Sequence, residues 1–185
     1  MSDLIPFLWA VEIDGRKAPL NLRGPPGFKQ VFERFRECTN TPSVFFTFPL
    51  TVDEIQFGKR IGNIETCRTD HSIPTLAFRI SDGGKSICYS ADTIYCPEVV
   101  EFAKNADLLV HEATFLGDQE SIAELTRHST AKMAGIVGKE TKAKRLALFH
   151  IPPPNDRRES EFRSEAGDEY GRDVTIGTDL AEIII

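Results

Sequence analysis

Apolar and polar positions along this chain switch repeatedly between a helical and a strand period. Residues 4–13 are nearly all apolar and predict a short helix, ended by Asp14-Gly15. Residues 19–22 predict a brief strand that runs into Gly24-Pro25-Pro26-Gly27, a turn that opens the next helix. Over residues 28–38, Phe28, Val31, Phe32 and Phe35 recur at i, i+3, i+4 and i+7, one face of an amphipathic helix. Strand patterns follow at 44–48, 51–57 and 64–69, the first reading Phe45, Phe46 and Phe48 as core. Residues 75–80 and 85–90 flank Ser81-Asp82-Gly83-Gly84 and predict a hairpin. The remainder predicts a helix from Pro97 to about 104 and a buried strand at 107–110. A helix at about 130–139, a strand at 145–149 and a helix at about 158–170 come next, and strands at 174–176 and 180–185 close the chain. This mixed order predicts an α/β (α+β) fold in which sheets carry helices on their outer faces.

Composition narrows the class. The 185 residues are 41% hydrophobic and 27% charged, enough for one packed domain spanning 1–185. No run approaches the roughly 18 apolar residues of a membrane span, and the N-terminus lacks the basic segment of a secretory signal. The net charge of −6 disfavours a protein whose whole surface serves a polyanion. Cys38, Cys67, Cys88 and Cys96 form no CxxC pair, so they are expected to be reduced thiols of a cytoplasmic protein.

The candidate chemistry lies where strands end or helices begin. His71 precedes the hairpin, Asp92 follows it, and His111-Glu112 ends the strand at 107–110. His128 opens a helix in His128-Ser129-Thr130, and His150 ends the strand at 145–149. Ligand sites in α/β sheets collect at strand ends, and neutral imidazole and carboxylate are ordinary zinc ligands. Each residue also has a structural reading: Ser129 or Thr130 as helix caps, Asp92 as a cap for the helix at Pro97, and a lone histidine as a satisfied buried group. Their joint occurrence favours a site.

Gly24-Pro25-Pro26-Gly27, Asp92-Thr93, His111-Glu112-Ala113-Thr114-Phe115, His128-Ser129-Thr130 and His150 together resemble the metallo-β-lactamase superfamily, and most closely its ribonuclease Z branch. The resemblance implies a four-layer αββα sandwich and a metal-dependent hydrolase acting on a phosphodiester. It implies two divalent ions, zinc first with manganese or iron also suited, held by His71 and His150 and bridged by Asp92. His128 would protonate the leaving oxygen, with His111 and Glu112 orienting it or moving protons. A homodimer is implied as well, with the apolar first helix and Trp9 as its candidate interface.

The chain departs from that pattern in two ways. The HxHxDH ligand motif and the first strands of the fold are absent, so this reading expects an N-terminally incomplete domain, Met1 internal to a longer protein, and weak zinc binding by these residues alone. The interval from His71 to Asp92 holds only a hairpin, with no room for the long arm that grips tRNA in ribonuclease Z. Ala91 replaces the usual glycine, and Ile151-Pro152-Pro153-Pro154 replaces a polar run. RNA therefore stays a possible partner without that grip. A carboxylic or sulfate ester hydrolase on the same scaffold, and an inactive remnant, are the competing readings.

Overall fold

The computed structural model describes residues 3–153 and 158–185 and divides into two compact units, Met1–Gln56 and Phe57–Ile185. In the first unit, α1 (Leu4–Ile13) and α2 (Phe28–Cys38) form where the apolar patterns place them. Strands β1 (Leu20–Gly24) and β2 (Leu50–Glu54) pair in parallel, Leu20 opposite Leu50 and Gly24 opposite Glu54. Their alternate residues Leu20, Leu22, Leu50 and Val52 pack with Ile5, Leu8, Phe32 and Phe48 into one apolar cluster. Gly27 sits at φ +91 just before α2, a conformation that glycine adopts without strain.

The strand expected at 44–48 is not there. Ser43–Phe45 form a short 3-10 turn after Pro42, whose fixed φ and missing N–H suit a turn better than a ladder. Phe48 is buried, as expected of core. Phe45 stays 36% exposed and instead stacks its ring against Trp9 and Phe46, at centroid distances of 5.5 and 5.4 Å.

The second unit is built on a seven-stranded sheet whose strands lie in sequence order: β3 (Arg60–Ile61), β4 (Ile64–Arg68), β5 (Leu76–Asp82), β6 (Lys85–Tyr89), β7 (Leu108–Glu112), β8 (Leu146–Phe149) and β9 (Val174–Ile176). Pairs from β3 to β6 are antiparallel, and the hairpin between β5 and β6 turns tightly on Gly83 and Gly84, both at positive φ. Pairs from β6 to β9 are parallel, so each needs a crossover. These are supplied by α3 (Pro97–Phe102), by α4 (Glu120–Thr126) with α5 (Ala131–Thr141), and by α6 (Glu159–Tyr170). The core joins Leu109, Leu146, Leu148 and Ile176 of the sheet to Ala134, Val137, Phe162 and Ala166 of α5 and α6.

Two further features differ from the sequence reading. Helix α4 has no periodic stripe to announce it: Ile122 and Leu125 are 49% and 83% exposed, and Ala123 is its buried residue. Residues 180–185 form no strand. Leu180 takes a left-handed φ of +63 that breaks extension, and Ile184 is 85% exposed. Among the described residues no helix is long and apolar enough to cross a membrane.

Helices α5 and α6 approach closely because Gly135 has no side chain. A Cβ there would lie 2.3 Å from the Ala166 carbonyl oxygen, a backbone atom that moves only with its helix. We expect Gly135→Ala to lower the denaturant midpoint by about 1–3 kcal/mol of stability, the range for an overfilled core. Gly167→Ala in α6 meets its nearest atom at 3.5 Å and serves as the control, expected to be neutral or mildly stabilising.

Candidate active site at the ends of parallel strands

The candidate residues gather at one edge of the sheet. Asp92 follows β6, Glu112 ends β7 and His150 follows β8, all at the carboxyl ends of mutually parallel strands. Strand β4 is reversed twice relative to β6, through β5, so its carboxyl end reaches the same edge and delivers His71. His128 arrives from the opposite direction, just before α5. A parallel bridge between Phe115 and Thr130 anchors it there, with the Phe115 amide donating to Ser129 and the Ala131 amide to Phe115. Ala91 and His150 both take left-handed φ values, +52 and +63, where the chain leaves β6 and β8. The first explains the preference for glycine before the aspartate, since a Cβ at such a φ costs about 1–2 kcal/mol.

Glu112 is the innermost member, with no exposed surface. Its Oε1 accepts the Thr93 amide at 2.9 Å and faces His128 Nδ1 at 2.8 Å. Its Oε2 accepts the amides of Thr114 at 3.2 Å and Ser129 at 3.0 Å, and the Thr114 hydroxyl at 3.0 Å. The neighbouring Ser129 hydroxyl donates to the Thr93 carbonyl, while Thr130 is the helix cap, accepting the Met133 amide at 3.1 Å. Cys96, not Asp92, occupies the cap position of α3.

Asp92, His128 and His150 each offer a ligand atom within 4.8 Å of the others, and His150 Nε2 lies 3.4 Å from Asp92 Oδ1. This is a three-ligand set with open positions, the number found in catalytic zinc sites, so these side chains fit a divalent cation. His71 stands beside the set, its ring centroid 4.8 Å from that of His128 and its Nδ1 against the Arg127 carbonyl at 2.9 Å. Tyr89 and Phe149 stack at 4.7 Å near the set. The Tyr89 hydroxyl is pushed up to about 12, by burial first and then by the charges of Asp92 and Glu112, so it remains a proton donor at neutral pH.

His111 is not brought to this edge. Side chains alternate along β7, and His111 shares the face of its register partner Leu148 and of Leu109, inside the apolar core. It is 1% exposed; its Nδ1 lies 2.8 Å from the Glu112 carbonyl, and its Nε2 has no hydrogen-bond partner among the described residues. The residues that motif spacing missed are Thr93, Thr114 and Ser90, whose hydroxyl accepts the Glu112 amide. Period two along β7 carries a signal for one of them, since Glu112 and Thr114 fall two apart and project to one side. Of the proline run after His150, Pro154 lies outside the described residues.

Residues 28–151 match the family model of the beta-lactamase superfamily domain, a span that contains every candidate residue above. The chain is 27% identical over 230 residues to ribonuclease Z of Myxococcus xanthus, covering 95% of this chain and 74% of that protein. It is 44% identical over 204 residues to ribonuclease Z of a Cyanothece species, covering 81% of this chain and 63% of that protein. Both alignments run longer than the 185 residues present here, so both relatives carry segments with no counterpart in this chain. The crystal structure of the metallo-beta-lactamase fold protein YhfI from Bacillus subtilis superposes with a TM-score of 0.77 at 26% identity, over 96% of this chain and 69% of that one.

Burial holds the His111 imidazole below its ordinary value, so the folded protein keeps it neutral. Below the unfolded value, near 6.5, the unfolded chain binds a proton that the folded chain refuses, and stability falls as pH falls. We expect wild-type stability to drop from pH 7 to pH 5 by up to about 1.4 kcal/mol per pH unit from this residue. In His111→Leu the slope of denaturant midpoint against pH should be correspondingly shallower.

Proposed function

Since this chain belongs to the beta-lactamase superfamily, as a metal-dependent hydrolase of the ribonuclease Z type, we propose that it cleaves a phosphodiester at the edge where Asp92, His128 and His150 converge. One observation carries the reading: His150 Nε2 and Asp92 Oδ1 lie 3.4 Å apart, beside His128, an imidazole whose Nδ1 is held by a buried carboxylate. Bound divalent ions supply an acidified water and polarise the phosphoryl oxygens. Two ions, zinc first, are the proposed complement, with His71 and His150 each serving one and Asp92 serving both. The Arg127 carbonyl can only accept, so His71 Nδ1 carries the hydrogen and donates it, which leaves Nε2 as the ligand atom.

His128 acts on the leaving group. With Nδ1–H directed at Glu112, its Nε2 is the nitrogen that gives a proton to the departing oxygen. Between His71 and Asp92 the chain forms only a short loop and the β5–β6 hairpin, which supports a compact phosphodiester, such as an RNA end, over a substrate gripped along its body. The reading includes a cytoplasmic location, which the free thiols of Cys38, Cys67, Cys88 and Cys96 support. The homodimer rests on Phe7, Trp9 and Ile13 of α1, exposed by 49%, 39% and 78%.

The test is zinc-dependent hydrolysis of bis(p-nitrophenyl) phosphate, beside p-nitrophenyl acetate and p-nitrophenyl sulfate. His128→Ala should lower phosphodiester turnover by about 100-fold or more, the usual contribution of a positioned acid, while zinc binding persists. His150→Ala should lose both. Equal zinc loss in the two variants would remove His128 from the acid role, and preference for either neutral ester or sulfate would move the protein to another hydrolysis.

A further inference from the structure

We propose that Thr114 is a positioning residue that fixes the tautomer of His150, so that one buried carboxylate sets both imidazoles of the site. The inference deepens the cation-dependent reading above and rests on it for its consequence, but its core follows from counting protons. Both oxygens of Glu112 accept backbone amides, Oε1 from Thr93 and Oε2 from Thr114 and Ser129. An N–H can only donate, so Oε2 accepts two amides and has no place for a proton of its own. The Thr114 hydroxyl, 3.0 Å from Oε2, therefore donates to it and spends its single proton there.

That leaves the Thr114 oxygen as an acceptor toward its other neighbours. His150 Nδ1 lies 3.2 Å away, so this nitrogen must carry the hydrogen and donate. The proton of a neutral imidazole sits on one nitrogen only, and Nε2 is thereby left with its lone pair. Nε2 faces Asp92 Oδ1 at 3.4 Å. A lone pair and a carboxylate oxygen repel at that separation, and a divalent cation between them turns the repulsion into two ligand bonds. His128, with Nδ1 2.8 Å from Glu112 Oε1 and 3.3 Å from the Thr114 hydroxyl, is held in the same tautomer by the direct bond. Partners that fix a ligand's ring and tautomer commonly tune metal affinity by 10–100-fold.

The experiment uses the full chain without added metal, at pH 8, recording long-range 1H–15N spectra with His150 assigned through His150→Gln. The wild type and Thr114→Ser should show His150 as the Nδ1–H tautomer, and the near-isosteric Thr114→Val, which keeps the shape and loses the hydroxyl, should shift it toward Nε2–H. Zinc titration of the same proteins should give about 10–100-fold weaker binding for Thr114→Val and the wild-type affinity for Thr114→Ser. An Nε2–H tautomer in the wild type would overturn the proposal whether or not Thr114→Val folds. So would a Thr114→Val protein that keeps the wild-type tautomer and zinc affinity. Failure of hydrolysis with the stated tautomers intact would instead count against the phosphodiesterase reading alone.

Discussion

A carboxylate removed wholly from water is costly unless it is fully paired, by several kcal/mol for the unpaired ion. Glu112 meets that constraint with five hydrogen bonds, drawn from the loop after β6, from the residues after β7 and from the segment before α5. Those three segments also carry Asp92, Thr114 and His128. The need to satisfy one buried charge is therefore what draws the site into register. Neighbouring bonds brace the network: the Ser129 hydroxyl donates to the Thr93 carbonyl, and Ser90 accepts the Glu112 amide. The network has few ways to relax piecemeal.

The sheet supplies the frame. Parallel pairing from β6 to β9 puts successive strand ends side by side, so residues at the same end of each strand become neighbours whatever their separation in sequence. Close helix packing behind the sheet, down to a glycine at the α5–α6 crossing, keeps those ends at fixed spacing. The left-handed backbone at Ala91 and His150 then turns the chain out of the sheet where the ligand atoms are needed. Strain of this kind persists where the surroundings over-determine it.

Much of this was legible in the sequence because the signals are local. The stripe of Phe28, Val31, Phe32 and Phe35, the Gly83-Gly84 turn and the strand-terminal histidines all report directly on backbone conformation or burial. Motif spacing also pointed to Asp92, Glu112, His128 and His150, which the structure brings together at one edge of the sheet. The errors have one physical source, namely dependence on partners distant in the chain. Residues 44–48 and 180–185 are apolar enough for strands, yet a strand requires a neighbour to bond, and ring stacking or exposure decided those segments instead. Helix α4 lacked a stripe because little of it is buried. The motif placed His111 and Glu112 together, while strand alternation sends them to opposite faces. Thr114 looked like filler within a motif because its importance lies in three contacts to residues at 112, 128 and 150.

The central claim is that Glu112, as a buried hydrogen-bond acceptor, organises the site. Amide hydrogen exchange of Glu112→Gln tests it most directly, because the substitution keeps the shape but presents donors to groups that need an acceptor. Leaving buried donors unsatisfied costs about 1–3 kcal/mol. The account predicts that exchange at Thr93, Thr114 and Ser129 quickens together by about 10-fold or more, while amides in the core of α5 and α6 are unchanged. Protection retained at all three positions, or lost at one of them alone, would contradict it.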